Sequence, residues 1–142
     1  MEQLSFQTHI LVGGQAEGEA LVLPEALGFW GGLDPKTGDI IDRRHPSLGE
    51  NVTGRILVLP IGRGSSSASS ILLEAVRVGT APAAIITAET DAILALGAAV
   101  AREMYAKSPP VVVLERPAFD EIKHGVWVVL SENGELSVTS EQ

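Results

Sequence analysis

From Arg55 onward, unbroken apolar runs alternate with stretches in which apolar residues recur every three or four positions. Arg55-Ile56-Leu57-Val58-Leu59-Pro60, Ala83 to Thr87 and Val111 to Leu114 are runs of the first kind, the pattern of strands buried on both faces. The intervening spacing predicts a helix ending near Val78 and a second from about Asp91 to Lys107. In the second helix Ile93, Leu96, Val100 and Met104 recur at helical spacing and predict one apolar face. Asp91 complements the dipole at its start, and Ser108-Pro109-Pro110 ends it. This βαβαβ succession favours a parallel sheet.

The flanking regions read differently. His9 to Val12 before Gly13-Gly14, and Ala20 to Leu23 before Pro24, predict β-structure joined by turns. At the other end, Gly125 to Leu130 and Glu135 to Val138 predict a closing hairpin across Asn133-Gly134. From Leu27 to Gly54 the pattern weakens into a segment dense in Gly, Pro and Asp. A long irregular segment within a compact domain is usually functional or disordered. Phe29 and Trp30, read as buried anchors, oppose disorder, and the glycine-rich loop that carries them suits a partner-facing surface or a lid. Asp34-Pro35-Lys36-Thr37-Gly38 predicts a tight turn. His45 before Pro46 is read as a structural turn residue, and Asp39, Asp42, Arg43 and Arg44 as a solvated face or an interface rim. No repeat or linker divides the chain. We expect one α/β domain over residues 1–142, with a βαβαβ core and a largely β N-terminal part.

Composition narrows the possible functions. The net charge is −8, with no Lys/Arg-rich run and no aromatic stacking series, which argues against a nucleic-acid partner. There are no cysteines, so no thiolate metal site or iron–sulfur ligand comes from this chain, and no metal ligands are expected on it. The N-terminus lacks the regions of a signal peptide, and the most apolar helical stretch, Ala92 to Ala101, is about half of the roughly 20 residues of a membrane span. A cytoplasmic protein without a membrane partner is the expectation, and the Asn51-Val52-Thr53 sequon then carries no meaning.

Chemistry concentrates at Gly62-Arg63-Gly64-Ser65-Ser66-Ser67, where a strand hands over to a helix. Such a unit presents unpaired backbone N–H groups and a positive dipole end, which together suit an anion. Several readings are open. One serine is explained by helix capping, but three in succession exceed what a cap requires. A serine can act as a base if a helix N-terminus stabilises its alkoxide. A hydrolytic triad would need His9, His45 or His124, and no Gly-x-Ser-x-Gly elbow is present. The spacing also departs from a Walker A loop and from a dinucleotide fingerprint. Ala68-Ser69-Ser70 reads as ordinary first-turn helix.

The turn Gly62-Arg63-Gly64-Ser65-Ser66 resembles the Gly-x-Gly-Ser-Ser motif in the swivelling domain of aconitase-type dehydratases, where the first serine removes a substrate proton. Nearly the whole chain is more similar still to the small subunit of the aconitase X family. The features that carry this are Gly18-Glu19-Ala20-Leu21, Phe29 to Pro35 with Thr37-Gly38, His45-Pro46 to Gly49, the serine turn, and Ala81 to Ile86. The resemblance implies a swivelling β/β/α barrel-like domain that closes over a large catalytic aconitase X subunit carrying an iron–sulfur cluster or iron. There the metal would act as a Lewis acid on the leaving hydroxyl of a small hydroxy acid. It implies Ser65 as the catalytic proton acceptor and Gly64, Ser66 and Arg63 as substrate-binding residues. In aconitase itself an arginine follows the two serines and pairs with a substrate carboxylate, whereas Ser67 stands here, which argues against a tricarboxylate. Leu72-Leu73-Glu74, Asp91 to Gly97 and Lys107 to Val112 look more like the bacterial cis-3-hydroxy-L-proline dehydratases than the archaeal phosphomevalonate dehydratases. A non-catalytic anion-binding module and a purely structural interaction domain are the readings from other classes.

Overall fold

A computed structural model describes residues 2–63 and 66–140. In chain order the strands are β1 (Glu2–Gln7), β2 (His9–Val12), β3 (Ala16–Val22), β4 (Ile56–Leu59), β5 (Ala84–Thr87), β6 (Val111–Val113), β7 (Trp127–Leu130) and β8 (Glu135–Ser140). Helix α1 (Ser67–Val78) joins β4 to β5, and α2 (Ala92–Tyr105) joins β5 to β6. All eight strands form one sheet, in the order β1-β8-β7-β3-β4-β5-β6-β2. Its centre, β3 to β6, is parallel, and its flanks are antiparallel. The sheet curls into a nearly closed barrel, so the βαβαβ core and the β-rich N-terminal part belong to a single α/β architecture.

Strand periodicity explains the two cores. Successive side chains of a strand point to opposite faces, and β4 is apolar at every position because both of its faces are covered. Leu57 and Leu59 join Leu21, Ile85 and Val111 in a core beneath the helices. Ile56 and Val58 join Ala20, Ile86, Val112, Val128, Leu136 and Val138 in a second core on the other face. The C-terminal hairpin closes that second side. Val128 and Leu130 of β7 point inward, while Trp127 and Val129 point to solvent.

The helices sit as the apolar spacing predicts, but α2 is rotated from the expected face. Its buried residues are Leu94, Gly97, Ala98 and Ala101, and of the predicted stripe only Ile93 is partly buried against the core. Leu96 is 55% exposed and Met104 60% exposed. Close approach of α1 decides this: a Cβ at Gly97 would lie 3.1 Å from the Cα and carbonyl oxygen of Ser69. The seam between the helices therefore takes a glycine, and Leu96 and Met104 face outward. Asp91 is the N-cap of α2, accepting from the Leu94 N–H at 3.0 Å.

The segment between β3 and β4 is irregular yet firmly held. Leu27, Phe29, Leu33, Ile40 and Val52 are fully buried, and single β-bridges pair Leu33 with Ile40 and Asp39 with Asn51. The tight turn at Asp34 forms as its residues predict: Asp34 Oδ1 accepts from the Lys36 N–H at 2.9 Å and its carbonyl from Gly38 at 2.7 Å. His45 is only 4% exposed and acts as a turn residue, its Nδ1 accepting from the Ser47 N–H at 3.0 Å and its Nε2 donating to the Glu25 carbonyl at 3.2 Å. Phe29 is the anchor expected of it. Trp30 is not: it is 68% exposed, because the chain turns at Phe29, whose carbonyl accepts from Gly32 and Leu33, and sends the next side chain outward.

The two faces of α2 separate in stability. Leu94→Ala should cost about 2–5 kcal/mol in urea unfolding, and Leu96→Ala should stay within about 0.5 kcal/mol; equal losses would contradict the rotation of the helix.

Candidate active site

In a parallel β–α unit each helix begins where the preceding strand ends, so the N-termini of α1 and α2 both lie at the C-terminal edge of the central strands. A cavity of about 310 Å³ opens between them. Ile61, Gly62 and Arg63 line it from the end of β4, Ala68 from the first turn of α1, and Thr90 to Leu94 from the start of α2. Leu27 and Phe29 of the long loop form its remaining wall.

Asp91 ties these walls together. It is 7% exposed; one carboxylate oxygen accepts from the Leu94 N–H at 3.0 Å and the other from the Gly62 N–H at 2.8 Å. Bonds of this charge-assisted kind are about twice as strong as neutral ones. Gly62 is required by this approach, since a Cβ there would stand 2.6 Å from Asp91 Oδ2. On the loop side, Leu27 bridges to Gly62 and its carbonyl accepts from the Arg63 N–H at 3.1 Å. Gly28 packs against the Arg63 carbonyl so closely that a Cβ would lie 2.8 Å from it. Gly62 and Arg63, at the start of the strand-to-helix turn, are thus clamped between α2 and the loop. The tie from Asp91 to Gly62 spans 29 positions; the sequence signal for it is a glycine after one parallel strand and an aspartate after the next.

Of the predicted site residues, Gly64 and Ser65 lie outside the described residues. Arg63 is exposed at the cavity rim, with Nη2 donating to the Ala26 carbonyl at 3.1 Å. Ser66 is exposed and occupies the N-cap position of α1 with helical backbone angles, and it makes no side-chain capping bond. The capping explanation therefore fails for Ser66. Its carbonyl accepts from the Ser69 N–H at 3.0 Å. Ser69 does more than continue a helix: its hydroxyl donates to the Ile93 carbonyl at 2.8 Å and pins the first turns of the two helices together. Ser70 bonds back to the Ser67 carbonyl at 2.7 Å.

The two helix ends differ electrically. The N-terminus of α2 carries the Asp91 carboxylate, whereas α1 has no acidic residue in its first turn. The positive end of α1 is therefore the one left to favour negative charge at the serine turn. The histidines do not assemble around it as a triad would: His45 is bonded within the long loop, and His124 Nδ1 accepts from the Val22 N–H at 3.1 Å. His9 is exposed on β2. Among the described residues no three His, Cys, Asp or Glu side chains group so as to hold a metal ion, and no helix is long and apolar enough to cross a membrane. On the outer face of α1, hydrogen bonding to Arg77 lowers the Glu74 carboxyl below its usual range and raises Arg77; neither residue lines the cavity.

The model of the aconitase X swivel domain family matches residues 5–138. The cis-3-hydroxy-L-proline dehydratase of Pseudomonas aeruginosa is 50% identical over 123 residues, 86% of this chain and 21% of that protein. The phosphomevalonate dehydratase small subunit of Methanopyrus kandleri is 41% identical over 122 residues, 86% of this chain and 87% of that one. Among solved structures, Thermococcus kodakaraensis aconitase X in its holo-form matches with a TM-score of 0.85 and 32% identity, covering 96% of this chain and 99% of that chain. The chain spans only about a fifth of the length of the hydroxyproline dehydratases it matches.

Replacing Asp91 tests the clamp. Asp91→Ala leaves the Gly62 and Leu94 amides without their acceptor and should cost about 1–3 kcal/mol in urea unfolding, with Asp91→Asn recovering part of the loss through its one carbonyl oxygen; an Asp91→Ala chain as stable as the parent would show that the clamp carries no weight.

Proposed function

The chain belongs to the aconitase X swivel domain family, and we propose that it is the small, swivelling half of a hydro-lyase that eliminates water from a hydroxylated acid. The observation that carries this reading is the 50% identity to a cis-3-hydroxy-L-proline dehydratase across 86% of the chain. That substrate is our leading choice. Relatives named as small subunits support placing the rest of the active site on a large catalytic subunit, and in this reading the chain works only when the two are joined.

Ser65 takes the proton from the substrate carbon in this proposal. Its hydroxyl is too weak an acid to ionise unaided, so its alkoxide needs a stabiliser. The α1 N-terminus, with no carboxylate in its first turn, supplies one. Loss of that proton and of the hydroxyl on the neighbouring carbon leaves a double bond and a water molecule. Gly64 and Ser66 provide the backbone setting, and the Arg63 guanidinium at the cavity rim pairs with the substrate carboxylate. An iron or iron–sulfur centre does not suit this chain: it has no cysteine, and the described residues offer no cluster of metal ligands. We place any such centre on the large subunit, and the steps assigned to this chain do not run through it.

Phosphomevalonate is the second substrate reading, supported by phosphomevalonate dehydratase small subunits 41%, 37% and 41% identical to this chain. Turnover of both compounds by the reconstituted complex decides between them. A non-catalytic anion-binding module would instead bind phosphate or a carboxylate tightly as the isolated chain in calorimetry.

Ser65→Ala in the complex should lower kcat by about 10²–10⁴-fold while the thermal midpoint of the chain and its affinity for the large subunit stay unchanged. Full activity in that variant would remove Ser65 from the mechanism.

A further inference from the structure

Trp30, Ile41 and Leu48 stand out on the surface as large apolar side chains 68%, 45% and 52% exposed. They ride on adjoining backbone. The Ile41 N–H donates to the Gly32 carbonyl at 2.8 Å, and the Gly49 N–H donates to the Ile40 carbonyl at 2.9 Å. Beneath them Phe29, Leu33 and Ile40 are fully buried, so the patch is carried on an anchored platform. An aromatic held rigidly in solvent costs little further ordering when something covers it, which is the property of an interface anchor.

We propose that this patch is the surface on which the large catalytic subunit seats, with Trp30 as its central anchor and Arg43 and Arg44 as its rim; the occupant rests on the functional reading above. Position favours that occupant. The loop is fastened to the turn through Leu27 and Ala26, both of which accept hydrogen bonds from Arg63. A body that closes over the serine turn to complete a site therefore meets this loop at its border. Length favours it too, because a relative 50% identical to this chain continues for about four-fifths of its own length beyond the matched segment. Charge then specifies its chemistry. Arg43 and Arg44 are exposed next to Ile41 and take part in no ion pair among the described residues, in a chain of net charge −8. The carboxylate of Asp42 accepts from the Arg44 N–H at 2.9 Å and forms no ion pair with either guanidinium. The facing surface should present carboxylates to these guanidinium groups. The outward stripe of α2, Leu96, Val100 and Met104, runs along the helix away from its tied end at Asp91 and serves as the internal comparison.

The test is titration calorimetry of the chain against the large subunit, with dehydratase activity of the complex read in parallel. Trp30→Ala should weaken association at least about tenfold, Leu96→Ala should change it less than about twofold, and Arg43→Glu with Arg44→Glu should slow association most at low salt. Thermal midpoints should stay at the parent value, since the replaced side chains are exposed. Undiminished binding by Trp30→Ala, a larger loss from Leu96→Ala, or self-association of the isolated chain that Trp30→Ala abolishes would each overturn the proposed surface while leaving the functional reading intact. A parent chain that neither binds the large subunit nor confers activity on it would overturn the functional reading, and the surface with it.

Discussion

Asp91 accepts one hydrogen bond from the amide of its own helix and one from Gly62, which follows the neighbouring strand. With that pair of bonds the first turns of two crossover connections become one rigid unit. Ser69 adds a second fastening, from α1 to the Ile93 carbonyl, and Gly97 lets the two helices come close enough for both to form. The cavity exists because these contacts hold its walls at a set separation. The carboxylate also neutralises the α2 end, which leaves α1 as the electropositive end beside the serine turn.

The loop between β3 and β4 completes this frame from the opposite side. Its backbone pairs with Gly62 and Arg63, its apolar residues fill the core under the helices, and its crest leaves Trp30 in solvent. Gly62 and Arg63, at the start of the turn, are thereby braced on both sides.

The central architecture was legible in the sequence because β4 and β6 are apolar at every position, β5 at all but Thr87, and the stretches between them have helical spacing. Pairing of β1 with β8, from Glu2 opposite Ser140 to Gln7 opposite Glu135, was not legible, since nothing local records a partner at the other end of the chain. Two errors share one cause. In α2 the larger apolar residues suggested the buried face, but the seam with α1 takes a glycine; at Phe29-Trp30 hydrophobicity suggested two anchors, but the chain turns between them. Burial follows from shape and backbone direction as well as apolarity. The family was legible as a set of separated motifs, while the Asp91 tie depends on the register of neighbouring strands.

The most direct measurement of the central claim is a crystal structure of the chain in complex with the large subunit and bound substrate. The account predicts Asp91 still bonded to the Gly62 amide and the Ser65 hydroxyl oxygen within about 3.5 Å of the carbon that loses its proton. A substrate carbon faced by a side chain of the large subunit, with Ser65 beyond contact distance, would contradict it.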